Sequence, residues 1–63
     1  MARYAKTCTD EDYFDLFIAI RDDLNVRGYE VISGGYNAGV LDIGTVLPLP
    51  QDVMDLWGLT EVP

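Results

Sequence analysis

The chain has 63 residues, of which 49% are hydrophobic, and its 11 acidic residues against four basic ones give a net charge of −7. A chain of about 60 residues buries only about 60% of its unfolded surface, so residues 1–63 are expected to form a single domain with a small core. The hydrophobic fraction argues against disorder, and no apolar run approaches the roughly 20 residues that span a bilayer. This charge repels nucleic acid and anionic lipid, so direct binding of either is not expected.

Few residues are available for catalysis or metal binding. The chain has no histidine and one cysteine, Cys8, which excludes an intrachain disulfide and makes a zinc site unexpected. Ser33, the only serine, has no histidine to activate it, and residues 33–39 lack the lysine of a phosphate-binding loop. We therefore predict a protein that is not an enzyme and holds no cofactor or metal. The lone cysteine, and a basic start with no apolar signal run after it, predict a cytoplasmic location.

The first predicted elements are a short strand and a long helix. Residues 2–7 alternate weakly and predict an edge strand. Thr9 is a good N-cap, Asp12 follows as its capping-box partner, and Gly28 is a natural helix terminator, so a helix is predicted from about Asp10 to Arg27. One face of this helix carries apolar residues at the spacing of a buried stripe, namely Tyr13, Leu16, Phe17, Ile20 and Leu24.

The second half of the chain predicts a hairpin and a short helix. Residues 29–33 form the first predicted strand, Gly34-Gly35 the tight turn, and residues 36–46 the returning strand. Gly39 and Gly44 indicate a bulge or a bend in it. After two prolines, residues 51–57 are predicted to form a helix closed by Gly58. Its inward side chains would be Val53, Leu56 and Trp57, and residues 59–63 would form a tail.

These elements predict an α+β fold with one main helix packed on a small antiparallel sheet and a short C-terminal helix. An isolated two-stranded hairpin is at best marginally stable in water. The sheet is therefore expected to gain a third strand, either from residues 2–7 or from a second copy of the chain in a homodimer.

Five acidic residues fall on the helix face opposite the predicted core: Glu11, Asp15, Asp22, Asp12 and Asp23. The first three form a line along the helix axis. Asp23 can pair with Arg27 at i+4, whereas Arg21 is predicted to project toward the apolar side and to leave the line unbalanced. Two interpretations stay open. The face can simply be solvated, or it can display carboxylates close to the spacing of phosphates along a nucleic-acid strand.

A chain of this size and acidity, with Glu11, Asp15 and Asp22 in a row on a helix, resembles the small phage-encoded inhibitors of CRISPR and restriction systems. The likeness lies in overall character and these residues, since such inhibitors share no common motif. Several anti-CRISPR families are DNA mimics that place carboxylates where an effector complex expects phosphates. The resemblance implies that the partner is a basic, nucleic-acid-binding protein, such as a CRISPR–Cas effector subunit in a bacterial cytosol.

A second hypothesis belongs to a different class of protein. The chain could be a small assembly module, such as a phage structural subunit or an antitoxin-like partner, that binds through an apolar patch. Trp57, Phe14, Ile18 and Tyr36 are the candidate patch residues. Salt separates the two hypotheses, because charge-based binding weakens as ionic strength rises and apolar binding does not.

Overall fold

The fold is a four-stranded antiparallel sheet with one long and one short helix, which confirms the predicted α+β class. The computed structural model describes all 63 residues. Its elements are β1 (Ala2–Thr7), α1 (Tyr13–Val26), β2 (Val31–Asn37), β3 (Val40–Thr45), α2 (Gln51–Trp57) and β4 (Thr60–Glu61). Neither helix combines the length and the apolar character that a membrane-spanning segment requires.

Strand β1 lies inside the sheet, so the prediction of an edge strand was wrong. The strand order is β2-β3-β1-β4. β1 pairs along its whole length with β3, from Ala2 opposite Thr45 to Thr7 opposite Val40, and the short β4 pairs on its other side. β1 and β2 therefore run in the same direction with β3 between them and α1 connecting them, which is a split β-α-β unit. The third strand of the sheet thus comes from this chain itself.

The core lies between the helices and the inner face of the sheet. The predicted stripe on α1 is confirmed, because Ile20 and Leu24 are fully buried and its other members are partly buried. On α2, Val53 is buried but Leu56 is 60% exposed, so its predicted inward position was wrong. Leu59 is buried rather than part of a free tail, because the residues after it pair with β1. The eight core residues are Tyr4, Ile20, Leu24, Leu41, Ile43, Leu49, Val53 and Leu59.

Helix α1 begins at Tyr13, three residues later than predicted. The Thr9 hydroxyl donates to the Asp12 carboxylate at 3.1 Å and so makes no side-chain cap to a backbone N–H. The amides of Asp12 and Tyr13 both donate to the Thr9 carbonyl instead. Residues 10–12 therefore form a turn that leads into the helix. The C-terminal end agrees with the prediction, because Gly28 has a positive φ of 93°.

The hairpin turn lies at Ala38-Gly39, so the predicted turn at Gly34-Gly35 was wrong. Ala38 and Gly39 have φ values of 52° and 80°, which is the geometry of a two-residue hairpin loop. Gly34 is instead a residue of β2 that leaves room for Phe17, whose ring would lie 2.3 Å from a Cβ atom at that position. The irregularity expected in the returning strand occurs in β2, between Val31 and Ser33.

Tyr4 joins the sheet to the segment that leads into α2. Its side chain is 1% exposed, and its hydroxyl oxygen accepts a hydrogen bond from the backbone N–H of Leu49 at 2.7 Å. This contact links residues 45 positions apart in the chain. It fixes the turn after β3, and with it the position at which α2 begins.

We predict that Tyr4→Phe lowers the free energy of unfolding by about 1–3 kcal/mol, because it leaves the buried Leu49 N–H without an acceptor. Urea unfolding followed by circular dichroism measures the change. Tyr29→Phe is the matched control, since the Tyr29 hydroxyl makes no side-chain hydrogen bond within the chain and Tyr29 is only half-buried. Equal stability of the two variants would contradict this role of the Tyr4 hydroxyl.

The adjacent glycines of β2 give a second matched pair. Gly34→Ala should destabilise the fold by about 1–3 kcal/mol, because the new methyl group overlaps the Phe17 ring. Gly35→Ala should be neutral or stabilising by up to about 1 kcal/mol, because nothing lies within 4 Å of its Cβ position and alanine restricts the unfolded chain. Thermal unfolding of both variants tests the assigned turn, since a turn at these two glycines would not produce this order.

Candidate functional site

The five predicted acidic residues do not form one continuous helical row. Glu11 and Asp12 lie in the turn before α1 and only Asp15, Asp22 and Asp23 lie on the helix. Asp15 and Asp22 are both exposed, and a separation of seven residues places their Cα atoms about 10.5 Å apart along the helix axis. The evenly spaced line predicted through Glu11 is therefore interrupted at its N-terminal end.

Asp22 has a basic neighbour, contrary to the sequence-based prediction. The Arg21 guanidinium donates to the Asp22 carboxylate through Nη2 at 3.1 Å and through Nε at 3.3 Å. The arginine side chain turns back along the helix surface instead of continuing over the apolar side. Because the carboxylate side chain remains 63% exposed, the pair is screened by water and contributes little to stability.

Asp23 is engaged in contacts within the chain. Its carboxylate accepts hydrogen bonds from Arg27 Nε and from the Trp57 indole N–H, each at 2.8 Å. The bond from Trp57, followed by that from Arg27, holds the pKa of Asp23 below its ordinary value. The predicted i, i+4 pair is thus confirmed, and the same carboxylate links α1 to α2.

The remaining acids at the start of α1 have no basic partner. Two of the four basic residues are occupied by the pairs with Asp22 and Asp23, and the other two, Arg3 and Lys6, lie on β1. Asp10, Glu11 and Asp15 are exposed and form no salt bridge. We call these three residues the acidic cluster. Their negative charge is unbalanced by any ion pair within the chain.

Tyr36 connects the acidic cluster to the hairpin. Its ring stacks on Tyr13 with a centroid distance of 4.3 Å, and its hydroxyl donates to the Cys8 carbonyl at 3.0 Å. The Asp10 carboxylate lies close enough to compete for the same proton. Hydrogen bonding to Asp10, followed by partial burial, raises the pKa of Tyr36 to about 12.

An apolar cleft opens between α1 and β2, beside the acidic cluster. Its volume is about 210 Å³, below the roughly 300–1,000 Å³ typical of small-molecule sites. Phe14 forms one wall and is 60% exposed. The cleft exists because β2 carries two adjacent glycines facing an aromatic stretch of α1, a pattern that assigning them to a turn had hidden. Its lining residues are Tyr13, Phe14, Phe17, Gly34, Gly35 and Leu41.

The four candidate patch residues of the assembly hypothesis do not lie together as one exposed surface. Trp57 is half-buried and bonded to Asp23, and Tyr36 is half-buried under Tyr13. Ile18 is also half-buried. Phe14 is the one strongly exposed member, so any apolar contact with a partner would centre on Phe14 and the cleft.

No group of three or more acidic or cysteine side chains is positioned to hold a metal ion. The chain matches no known protein family, no curated protein and no solved structure. Function therefore has to be inferred from the chain's own residues. Their arrangement offers charge, an apolar cleft and a free sheet edge, which are features of a binding surface.

The raised pKa of Tyr36 predicts a loss of stability at high pH. The folded chain holds the Tyr36 proton to about 12, against 10.0 for an ordinary tyrosine. This contribution is complete below the unfolded pKa and is lost as pH rises through the folded pKa. Urea unfolding between about pH 9 and pH 12 should therefore show a shallower decline for Tyr36→Phe than for the unchanged chain. Parallel declines would contradict the assignment.

Proposed function

We propose that this chain is an acidic binding protein that occupies the nucleic-acid-binding surface of a basic partner and so inhibits it. The observation that carries the proposal is the acidic cluster, whose three carboxylates are exposed and form no ion pair. A partner that normally grips phosphates would present lysine and arginine side chains to such a surface.

Glu11, Asp15 and Asp22 are the proposed contact residues. Each carboxylate accepts charge-assisted hydrogen bonds, as a phosphate oxygen does. Asp22 can exchange its exposed contact with Arg21 for a partner cation at little cost. Asp12 and Asp23 have supporting roles instead, because Asp12 accepts from Thr9 and Asp23 joins the two helices.

The resemblance to phage-encoded inhibitors makes the proposal more specific. The proposed partner is a CRISPR–Cas effector or a restriction enzyme in the bacterial cytosol, and the proposed action is to block its binding to target DNA. The chain's charge of −7 supports action on the protein rather than on the nucleic acid, since like charges repel.

Phage plating on a bacterial host with active CRISPR or restriction immunity tests this function. Expression of the chain should raise the number of plaques at least about tenfold, which corresponds to about 1.4 kcal/mol of binding free energy. Changing Glu11→Gln, Asp15→Asn and Asp22→Asn together should abolish the increase while circular dichroism shows an intact fold. No increase with the unchanged chain, across hosts that carry different immune systems, would contradict the proposal.

A matched variant controls for the loss of net charge. Changing Asp52→Asn, Asp55→Asn and Glu61→Gln together also removes three negative charges, from exposed positions on α2 and β4. This variant should keep most of the inhibitory effect, because it leaves the acidic cluster and Asp22 unchanged. Equal losses in the two triple variants would show that net charge alone matters.

The second candidate function is an assembly module, and the exposure of Phe14 beside the cleft favours it. The affinity of such a module for its partner would change little with salt. Contact through the acidic cluster predicts that affinity falls steeply between low and physiological ionic strength. Titration of the captured partner at both ionic strengths separates these functions.

A further inference from the structure

The two edges of the sheet differ in how they are protected. β4 covers one edge with only two residues, and short edge strands offer little for another chain to pair with. The opposite edge is β2, whose seven residues, VISGGYN, include no charged residue and no proline. Charges, prolines and coverage are the usual protection of an edge strand. β2 has no covering element on its free side, because it pairs only with β3.

The main-chain groups available at this edge follow from the hairpin register. Asn37 and Val40 flank a two-residue turn, and such residues form a hydrogen-bonded pair. Hydrogen-bonded and non-bonded pairs then alternate along an antiparallel ladder. Gly34 and Tyr36 lie opposite Ile43 and Leu41 as non-bonded pairs. Their N–H and C=O groups therefore point to the free side of β2.

The cleft and the acidic cluster lie along this same edge. Helix α1 runs antiparallel over β2, with Tyr13 stacked on Tyr36 at one end and Asn25 Oδ1 bonded to the Val31 N–H at the other. The cleft opens between these ends, over Gly34 and Gly35. Asp10 marks the Tyr36 end of the edge as acidic. At the other end, Ile32 is 49% exposed.

We propose that β2 receives an extended segment of the partner as an added strand. One apolar side chain of that segment fills the cleft beside Phe14, and a lysine or arginine two residues away meets the acidic cluster. Addition of a strand takes its affinity from main-chain hydrogen bonds and its specificity from pockets for alternate side chains. This inference rests on the proposed function, for which it names the element of the partner that is bound.

Charge complementarity selects this occupant over a second copy of the chain. Two copies would each bring a charge of −7 to one interface, whereas a basic segment gains from the same field. The antiparallel direction places the cation before the apolar residue in the partner's sequence, since β2 runs from the Ile32 end toward the acidic end.

A synthetic peptide, Thr-Lys-Thr-Phe-Thr-Val-Thr, presents this pattern on one strand face and is the probe. Titration of the peptide into isotope-labelled protein should shift the amide resonances of Gly34 and Tyr36 and slow their hydrogen exchange. N-methylation of the peptide amides that face β2, or replacement of its lysine by glutamate, should weaken binding at least about fivefold. Binding that leaves both amides unchanged, or no binding at millimolar peptide, would overturn the inference.

Two exposed residues give a matched pair of protein variants. Phe14 and Leu56 are each 60% exposed, but only Phe14 borders the cleft. Phe14→Ala should weaken peptide binding at least about fivefold, while Leu56→Ala should leave it unchanged. Sedimentation equilibrium tests the competing occupant. A dimer of the chain alone that protects the Gly34 and Tyr36 amides would mean that a second copy occupies the edge.

The inference and the proposed function can fail separately. If the acidic triple variant loses inhibition of the partner but Phe14→Ala and the peptide show no effect at β2, the inference alone is wrong. If the peptide pairs with β2 as expected but the acidic triple variant still inhibits fully, the proposed function is wrong and the edge serves another partner.

Discussion

The pairing of β1 between β3 and β4 is the constraint on which the rest of the structure depends. This strand comes first in the chain but occupies the interior of the sheet, so no complete sheet exists until distant segments have added to both of its sides. Tyr4 lies at its centre, and its hydroxyl fixes Leu49. In a core of only eight buried apolar residues, one residue thereby positions a strand, a turn and the start of α2.

Local signals in the sequence predicted the elements that are decided locally. The bounds of α2 and the glycine that ends each helix follow from chemistry within a few residues, and both agree with the structure. The hairpin turn was misplaced because its position depends on a tertiary contact. Gly34 is required as a strand residue by the packing of Phe17, and a reading of neighbours along the chain places the turn at the glycine pair. The interior position of β1 was missed for the same reason, since only pairing with distant strands decides it.

The candidate site shows the same division between local and tertiary information. Helical periodicity correctly separated the acidic side of α1 from its buried stripe, but it could not show which carboxylates have partners. Asp23 bonds with Trp57 across the two helices, and Asp22 bonds with its neighbour Arg21. The charge that remains unpaired is therefore concentrated at the start of α1 rather than along its length. The cleft could not be predicted, because it requires β2 to pass under α1.

The charge and the free edge explain each other. An uncharged seven-residue edge strand normally favours pairing between copies of a chain, and β2 contains no charge or proline to prevent it. The charge of −7 supplies that protection at a distance, because approach of a second copy is repelled at low salt. The same field attracts a basic partner to the same place. A surface built this way discriminates by the sign of the partner's charge before any contact forms, and the main-chain groups of β2 then act only on chains that this selection admits.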